Sequence, residues 1–258
     1  MPNTKTVRVP HLGGITAAYQ MPHPYDSSKP TLVMVNSFTT SSELYRDQYS
    51  NRELTSKMNL VAIELLGHGQ THTENENWTY WDTAVMNVQV MEALWIEKAT
   101  GEEELEEADS ARQIQGIIPL GTSLDFESDR TRSLGCWDAP KLLSKRIDGW
   151  TTNDYTPDFE PDDEYCNWLI DIGFGKDCEK DVRKYWKKTI KDNYQGNDGR
   201  RRARMAAINL RDRDGLHARL WDVKCPVLWL HGTDDAVYSV PNAEAESSCS
   251  QTRMTLGW

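Results

Sequence analysis

The chain has no apolar run approaching the roughly 20 residues that a membrane helix requires, and it has no Cys-x-x-Cys pair. Its cysteines number five, an odd count without metal-site spacing, so neither a disulfide framework nor a zinc site is expected. Basic charge is scarce as well: 29 Lys and Arg stand against 40 Asp and Glu, a net charge of −11. That balance argues against a general nucleic-acid binder and against an anionic membrane surface as partner. The opening stretch Met1–Arg8 contains no apolar signal core, so a cytoplasmic location with reduced thiols is expected. Without secretion, the triplet Asn77-Trp78-Thr79 is not read as a glycosylation site. Phenylalanine is rare at four, but tryptophan reaches ten, which suggests an aromatic-lined interior or pocket.

At 258 residues the chain fits one α/β unit or at most two domains. Val7 and Val9, then Ile15, Ala17 and Tyr19, alternate around Gly13-Gly14 and predict two short strands joined by a glycine turn. Thr31–Val35 and Leu60–Ile63 are continuous apolar runs, as expected for strands buried on both faces; a third buried run at Ile114–Leu120 is interrupted by Pro119, and the last is Val227–Leu230. A helix over 79–98 lies between the second and third. Trp81, Ala84, Val85, Val88, Met91, Leu94 and Trp95 trace one helical face, and Thr79 with Asp82 forms a capping-box-like start. Strand, helix, strand order predicts a mostly parallel α/β sheet, because parallel strands need long crossovers. From 125 to 222 the chain turns rich in Trp, Tyr, Asp and Arg and reads as a helical insertion. The predicted division is a core of 1–124 and 223–246, a helical cap over 125–222, and an irregular tail over 247–258.

Two charge runs stand out. Glu97–Arg112 carries seven acids and two bases, so 100–112 is expected to be exposed. Gly199–Leu220 carries seven Arg and two Asp, expected as a solvated helix face rather than a nucleic-acid patch. His68 and His72 are four apart, but Gly69 lies between them and no Glu follows His68, so a helical zinc pair is not expected.

Three motifs follow strand ends, where open α/β sheets collect ligands and catalytic groups. They are Val35-Asn-Ser-Phe-Thr-Thr-Ser-Ser42, Glu64-Leu-Leu-Gly-His-Gly-Gln-Thr71 and Leu230-His-Gly-Thr-Asp-Asp-Ala-Val237. In this order they resemble the α/β-hydrolase superfamily, in particular its serine hydrolases with a helical cap, with a flavour of fungal members. The resemblance covers about 7–100 and 113–246. It implies that Asp235 is the acid of a catalytic triad, that the Phe38 backbone N–H helps to hold a developing oxyanion, and that His68 organises a turn. It implies no cofactor and no metal.

The departures from that pattern are equally specific. The nucleophile of the superfamily sits in Gly-x-Ser-x-Gly at a strand-to-helix turn, and no such motif occurs. Between Ala99 and Ile114 the chain reads Thr-Gly-Glu-Glu-Glu-Leu-Glu-Glu-Ala-Asp-Ser-Ala-Arg-Gln, which as a central strand would bury unpaired carboxylates. No His follows His231, so the expected general base is also absent. The fold class expected is therefore an incomplete α/β-hydrolase fold. Its function is expected to derive from hydrolysis of an ester, lactone or similar carbonyl bond in a small apolar molecule, with activity lost or severely impaired. The alternative is a non-catalytic small-molecule binder, with Trp137, Trp150, Trp168 and Trp186 either lining a pocket or forming the cap core. Ser123 is a candidate stand-in nucleophile if 114–120 runs beside 31–35, and a capping residue otherwise; no base for it is evident.

Overall fold

The computed structural model describes residues 2–96, 114–248 and 254–257. The acidic segment expected to be exposed, 100–112, lies outside the described residues.

Strands β1 (Lys5–Val9) and β2 (Ile15–Gln20) form an antiparallel hairpin, with Val9 opposite Ile15. Strands β3 (Thr31–Val35) and β4 (Asn59–Ile63) run parallel, with Thr31 opposite Asn59 and Val35 opposite Ile63. β2 joins the two pairs by lying antiparallel to β4, and the short β5 (His72–Thr73) also lies against β2. The order β1-β2-β4-β3 leaves β3 at one edge. Every side chain of β4 is buried, as a strand covered on both faces requires. Two short helices, α1 (Arg46–Ser50) and α2 (Arg52–Lys57), make the crossover from β3 to β4.

Helix α3 (Tyr80–Ile96) starts where the sequence places it. The Asp82 carboxylate accepts from the Thr79 N–H at 2.7 Å and from its hydroxyl at 2.8 Å. The face turned to the core differs from the one traced by the sequence pattern. Thr83, Met86 and Val90 are buried, while Trp81, Val85 and Val88 are exposed. The helix is apolar on both sides, so periodicity alone does not choose between them.

A second sheet holds β6 (Val227–Leu230) and β7 (Met254–Gly257), paired in parallel. The tail expected to be irregular thus contains a strand, preceded by helix α9 (Val240–Ser248). The expectation that 114–120 borders 31–35 is corrected here. Its bridges, Ile117 to Val227 and Leu120 to Leu230, attach it to β6 instead. Pro119 supplies a carbonyl but no N–H, which holds the contact to isolated bridges.

The stretch 125–222 is helical: α4 (Asp129–Ser133), α5 (Ala139–Gly149), α6 (Asp163–Phe174), α7 (Lys180–Asn193) and α8 (Gly196–Arg211). Asp162 caps α6 by accepting from the Tyr165 N–H at 2.7 Å, which also satisfies one orphan donor of the first turn. These helices share a core of Leu143, Ile147, Trp150, Tyr165, Ile170, Trp186, Ile190 and Tyr194.

The arginine run is only partly a solvated face: Arg219 is exposed, but others turn inward. Arg200 is buried and donates to the Trp150 carbonyl and to the Thr156 hydroxyl. Arg202 reaches the carbonyls of Gly67 and Asn193, and Arg201 pairs with Glu76. On one side of α8, Met205 packs into the cluster built by β1, β2, β4 and α3. Beyond its other end, Arg213 meets Glu127 at 3.1 Å, the Ser123 carbonyl at 3.2 Å and the Tyr238 hydroxyl at 3.1 Å. The Leu216 N–H donates to the Leu124 carbonyl at 2.8 Å. One helix and its exit loop therefore tie both sheets together. Among the described residues no helix is long and apolar enough to cross a membrane.

Glu127 is 1 % exposed at its side chain and Arg213 14 %, so removing the cation leaves a buried charge. Arg213→Ala is expected to lower unfolding free energy by about 3–5 kcal/mol. Urea denaturation checks this, and Arg213→Met combined with Glu127→Leu should recover most of the loss.

Candidate functional site

The turn after β3 is held by Asn36. Its side-chain amide donates to the carbonyls of Ser37 at 3.0 Å and Thr40 at 2.9 Å, and its carbonyl oxygen accepts from the Leu65 N–H at 2.8 Å. Thr39 takes a φ of 61°, a left-handed conformation that a β-branched residue rarely adopts. Such backbone costs on the order of 1–3 kcal/mol and persists where surrounding bonds over-determine it. Among the described residues the Phe38 N–H has no hydrogen-bond partner, so it is free to donate. The Phe38 ring packs against the cap core and meets His68 edge-on at 5.9 Å between centroids.

The turn after β4 is built around a carboxylate. Glu64 is buried and accepts from the Ser42 N–H at 3.0 Å, the Ser42 hydroxyl at 2.7 Å and the Gln70 N–H at 2.7 Å. A side chain at position 69 would meet it, since a Cβ on Gly69 would stand 2.1 Å from Glu64 Oε2. His68 organises this turn: its Nδ1 lies 3.2 Å from the Leu66 carbonyl, while Nε2 is buried with no partner among the described residues. Burial, reinforced by the nearby Arg202, pushes the His68 imidazole down to about 4.

Asp235, the implied triad acid, sits in the loop after β6. Its Oδ1 accepts from the N–H groups of Val237 at 2.8 Å and Tyr238 at 2.9 Å. A Cβ on Gly121, whose φ is 48°, would lie 3.1 Å from Asp235 Oδ2, so the loop after 114–120 runs against this carboxylate. Asp234 is exposed. His231 is buried; its Nε2 lies 2.8 Å from the Tyr238 carbonyl and 3.9 Å from Asp235 Oδ2. Its Nε2 is thus engaged by its own loop, while its Nδ1 is buried with no partner among the described residues.

Ser123 is buried, and its hydroxyl donates to Glu246 Oε1 at 2.6 Å while accepting from the Asp125 N–H at 3.1 Å. Glu246 also takes the Leu124 N–H at 2.8 Å, the Asn242 amide at 3.2 Å and Arg130 at 3.4 Å. No local signal points to Glu246 as a partner, because 123 positions separate the two residues.

Trp150 and Trp186 are buried in the cap core. Trp137 and Trp168 are half-buried and stacked at 6.2 Å. The Trp137 N–H donates to the Val237 carbonyl at 2.9 Å, which brings the cap to the Asp235 loop. An open surface hollow elsewhere is lined by Phe126, Ser128, Arg130, Arg132, Pro140 and Arg211. Its arginines are already paired with Asp125, Asp129 and Asp212. Among the described residues no group of three or more His, Cys, Asp and Glu is placed to hold a metal ion.

The two strand-end turns, the loop after β6 and the helical cap define the chain as having the α/β-hydrolase fold. A hydrolase from Pseudomonas aeruginosa superposes with a TM-score of 0.69 at 15 % identity, covering 98 % of this chain and 89 % of that one. A thermophilic esterase from Thermogutta terrifontis gives 0.69 at 14 % identity over 98 % and 89 %. The enol-lactonase from Burkholderia xenovorans LB400 gives 0.67 at 14 % identity over 97 % and 90 %. No protein-family profile matches the sequence, and no curated protein is significantly similar to it.

The depressed His68 imidazole makes folding pH-dependent. The unfolded chain protonates this group near pH 6.5, whereas the folded one resists until about 4. Stability is expected to fall as pH drops through that window, by about 1.4 kcal/mol per unit from this group. Urea midpoints at pH 7, 6 and 5 should show a shallower slope in His68→Gln.

Proposed function

We propose that this protein derives from an ester- or lactone-cleaving α/β hydrolase and, as written, no longer carries out that chemistry at an appreciable rate. A helical cap over 125–222 covers the ends of the strands of a core formed by 1–124 and 223–246. The ligand expected there is a small apolar ester or lactone-like molecule.

The observation that carries this reading is how the Asp235 loop spends its groups. A working triad needs the acid to hold a His that in turn holds the nucleophile. Here Asp235 Oδ1 is taken by two backbone N–H groups, and the nearby His231 faces the Tyr238 carbonyl. Ser123 faces a buried carboxylate that is also held by Asn242 and Arg130. Without a base that can both take and return a proton, a serine hydroxyl stays a weak nucleophile. The neighbours named an esterase and an enol-lactonase support the carbonyl-bond class of the ancestor.

The binding alternative is favoured by one feature. Phe38, Trp137 and Trp168 are half-buried and pack against the same helical core, and such aromatic surface can hold an apolar carbonyl compound without attacking it.

A fluorophosphonate probe labels activated serines and separates the readings. The wild type and Ser123→Ala are both expected to remain unlabelled and to show no turnover of a chromogenic ester. Quenching of Trp fluorescence by a short-chain lactone, saturable and without turnover, would support binding. Labelling that disappears in Ser123→Ala would overturn the loss of chemistry.

A further inference from the structure

The turn after β4 and the end of α7 bring two polar groups together in the interior. His68 is 2 % exposed and Tyr194 1 %, and their rings meet T-shaped at 6.4 Å between centroids. The His68 Nε2 and the Tyr194 hydroxyl are both closed to solvent, and neither has a hydrogen-bond partner among the described residues. Buried polar atoms are nearly always paired, and one left bare costs stability. Here two bare atoms sit on neighbouring rings, one supplied by the core and one by the cap. Arg202 holds this corner: it donates to the carbonyl of Gly67, next to His68, and its guanidinium carbon lies 5.6 Å over the Tyr194 ring.

The Leu66 carbonyl can only accept, so the His68 Nδ1 that lies 3.2 Å from it carries the ring proton. The ring stays neutral down to about 4, because burial opposes its charged form. Its Nε2 therefore presents a lone pair that can only receive a hydrogen. The Tyr194 hydroxyl both donates and accepts. A carbonyl or ether oxygen can take the Tyr194 hydrogen but has none to give to His68. An ammonium group has hydrogens to give, but it accepts nothing and would stand beside the Arg202 cation. A hydroxyl serves both groups: it donates to His68 and accepts from Tyr194. The neighbouring cation favours an acidic hydroxyl, whose oxygen carries the greater negative charge when its hydrogen is shared.

We propose that the ligand held under the cap carries a phenolic hydroxyl, which donates to His68 Nε2 and accepts from the Tyr194 hydroxyl. This rests on the reading of the capped site as a small-molecule site and names the group that the site selects. The ring bearing the hydroxyl meets an aromatic neighbour, since Phe38 lies edge-on to His68 at 5.9 Å between centroids. Phe38 is half-buried, whereas the pair beside it is closed to solvent, so Phe38 is the side chain that yields to admit the ligand.

The test is calorimetric titration of the full chain with para-ethylphenol and with para-ethylfluorobenzene, which keeps the shape and lacks the donor. The phenol is expected to bind roughly tenfold or more tighter. Tyr194→Phe removes only the bare hydroxyl, so it should raise the thermal midpoint by about 2–4 °C. The same substitution should weaken phenol binding by roughly tenfold and leave binding of the fluorinated probe unchanged. NMR of the isotope-labelled His68 ring nitrogens should show the Nε2 signal moving upfield with the phenol and staying in place with the fluorinated probe. Equal affinities for the two probes would leave the small-molecule reading standing and overturn this inference. A phenol preference that survives Tyr194→Phe, or a His68 Nε2 signal that the phenol does not move, overturns it as well. Binding of neither probe also overturns it, and the lactone titration then decides whether the capped site takes small molecules at all.

Discussion

The buried pair Arg213–Glu127 marks the place where the two sheets of this molecule are tied to each other. The strands themselves do not make that tie: β3 pairs with β4, and 114–120 pairs with β6. The work passes to α8. Met205 sits in the core of the first sheet, Arg202 reaches Gly67, and two residues past the helix Arg213 enters the loops of the second sheet. A charge pair in such surroundings is costly to desolvate and persists because hydrogen bonds satisfy both ends. Trp137 Nε1 donates to Glu127 as well, so the carboxylate is held by cap and core together.

The same economy of polar groups governs the site. Its loops keep their shape through carboxylates that accept from backbone N–H groups: Glu64 in the turn after β4, Asp235 in the loop after β6, and Glu246 under Ser123. Glu64 and Glu246 give both oxygens to this scaffolding, and Asp235 gives Oδ1. The Phe38 turn differs, because its N–H is left free while its neighbour Thr39 is held in left-handed backbone. The proposed account keeps a binding surface in this arrangement and has the proton relay lost.

The turns and strand ends were legible in the sequence because they depend on local residues. Thr79 with Asp82 and the continuous apolar runs of β3 and β4 appear where their chemistry places them. What failed depends on contacts across the chain. The run 114–120 has the composition of a buried strand, but composition does not say which edge it joins. Helix α3 is apolar all round, so the face carrying Trp81, Val85 and Val88 looked as good as the one that buries Met86 and Val90. The arginine run read as solvated because its partners, Trp150, Gly67 and Glu127, lie far away in sequence. Ser123 and Glu246 could not be joined for the same reason.

The central claim is that Asp235 shapes its loop and orients no catalytic His. Steady-state hydrolysis of a chromogenic ester by wild type and by Asp235→Asn tests it most directly. The account predicts rates at the level of the uncatalysed reaction for both, equal within about twofold. Measurable wild-type turnover that falls about 10,000-fold in Asp235→Asn, the loss seen when a working triad is deprived of its acid, would contradict it.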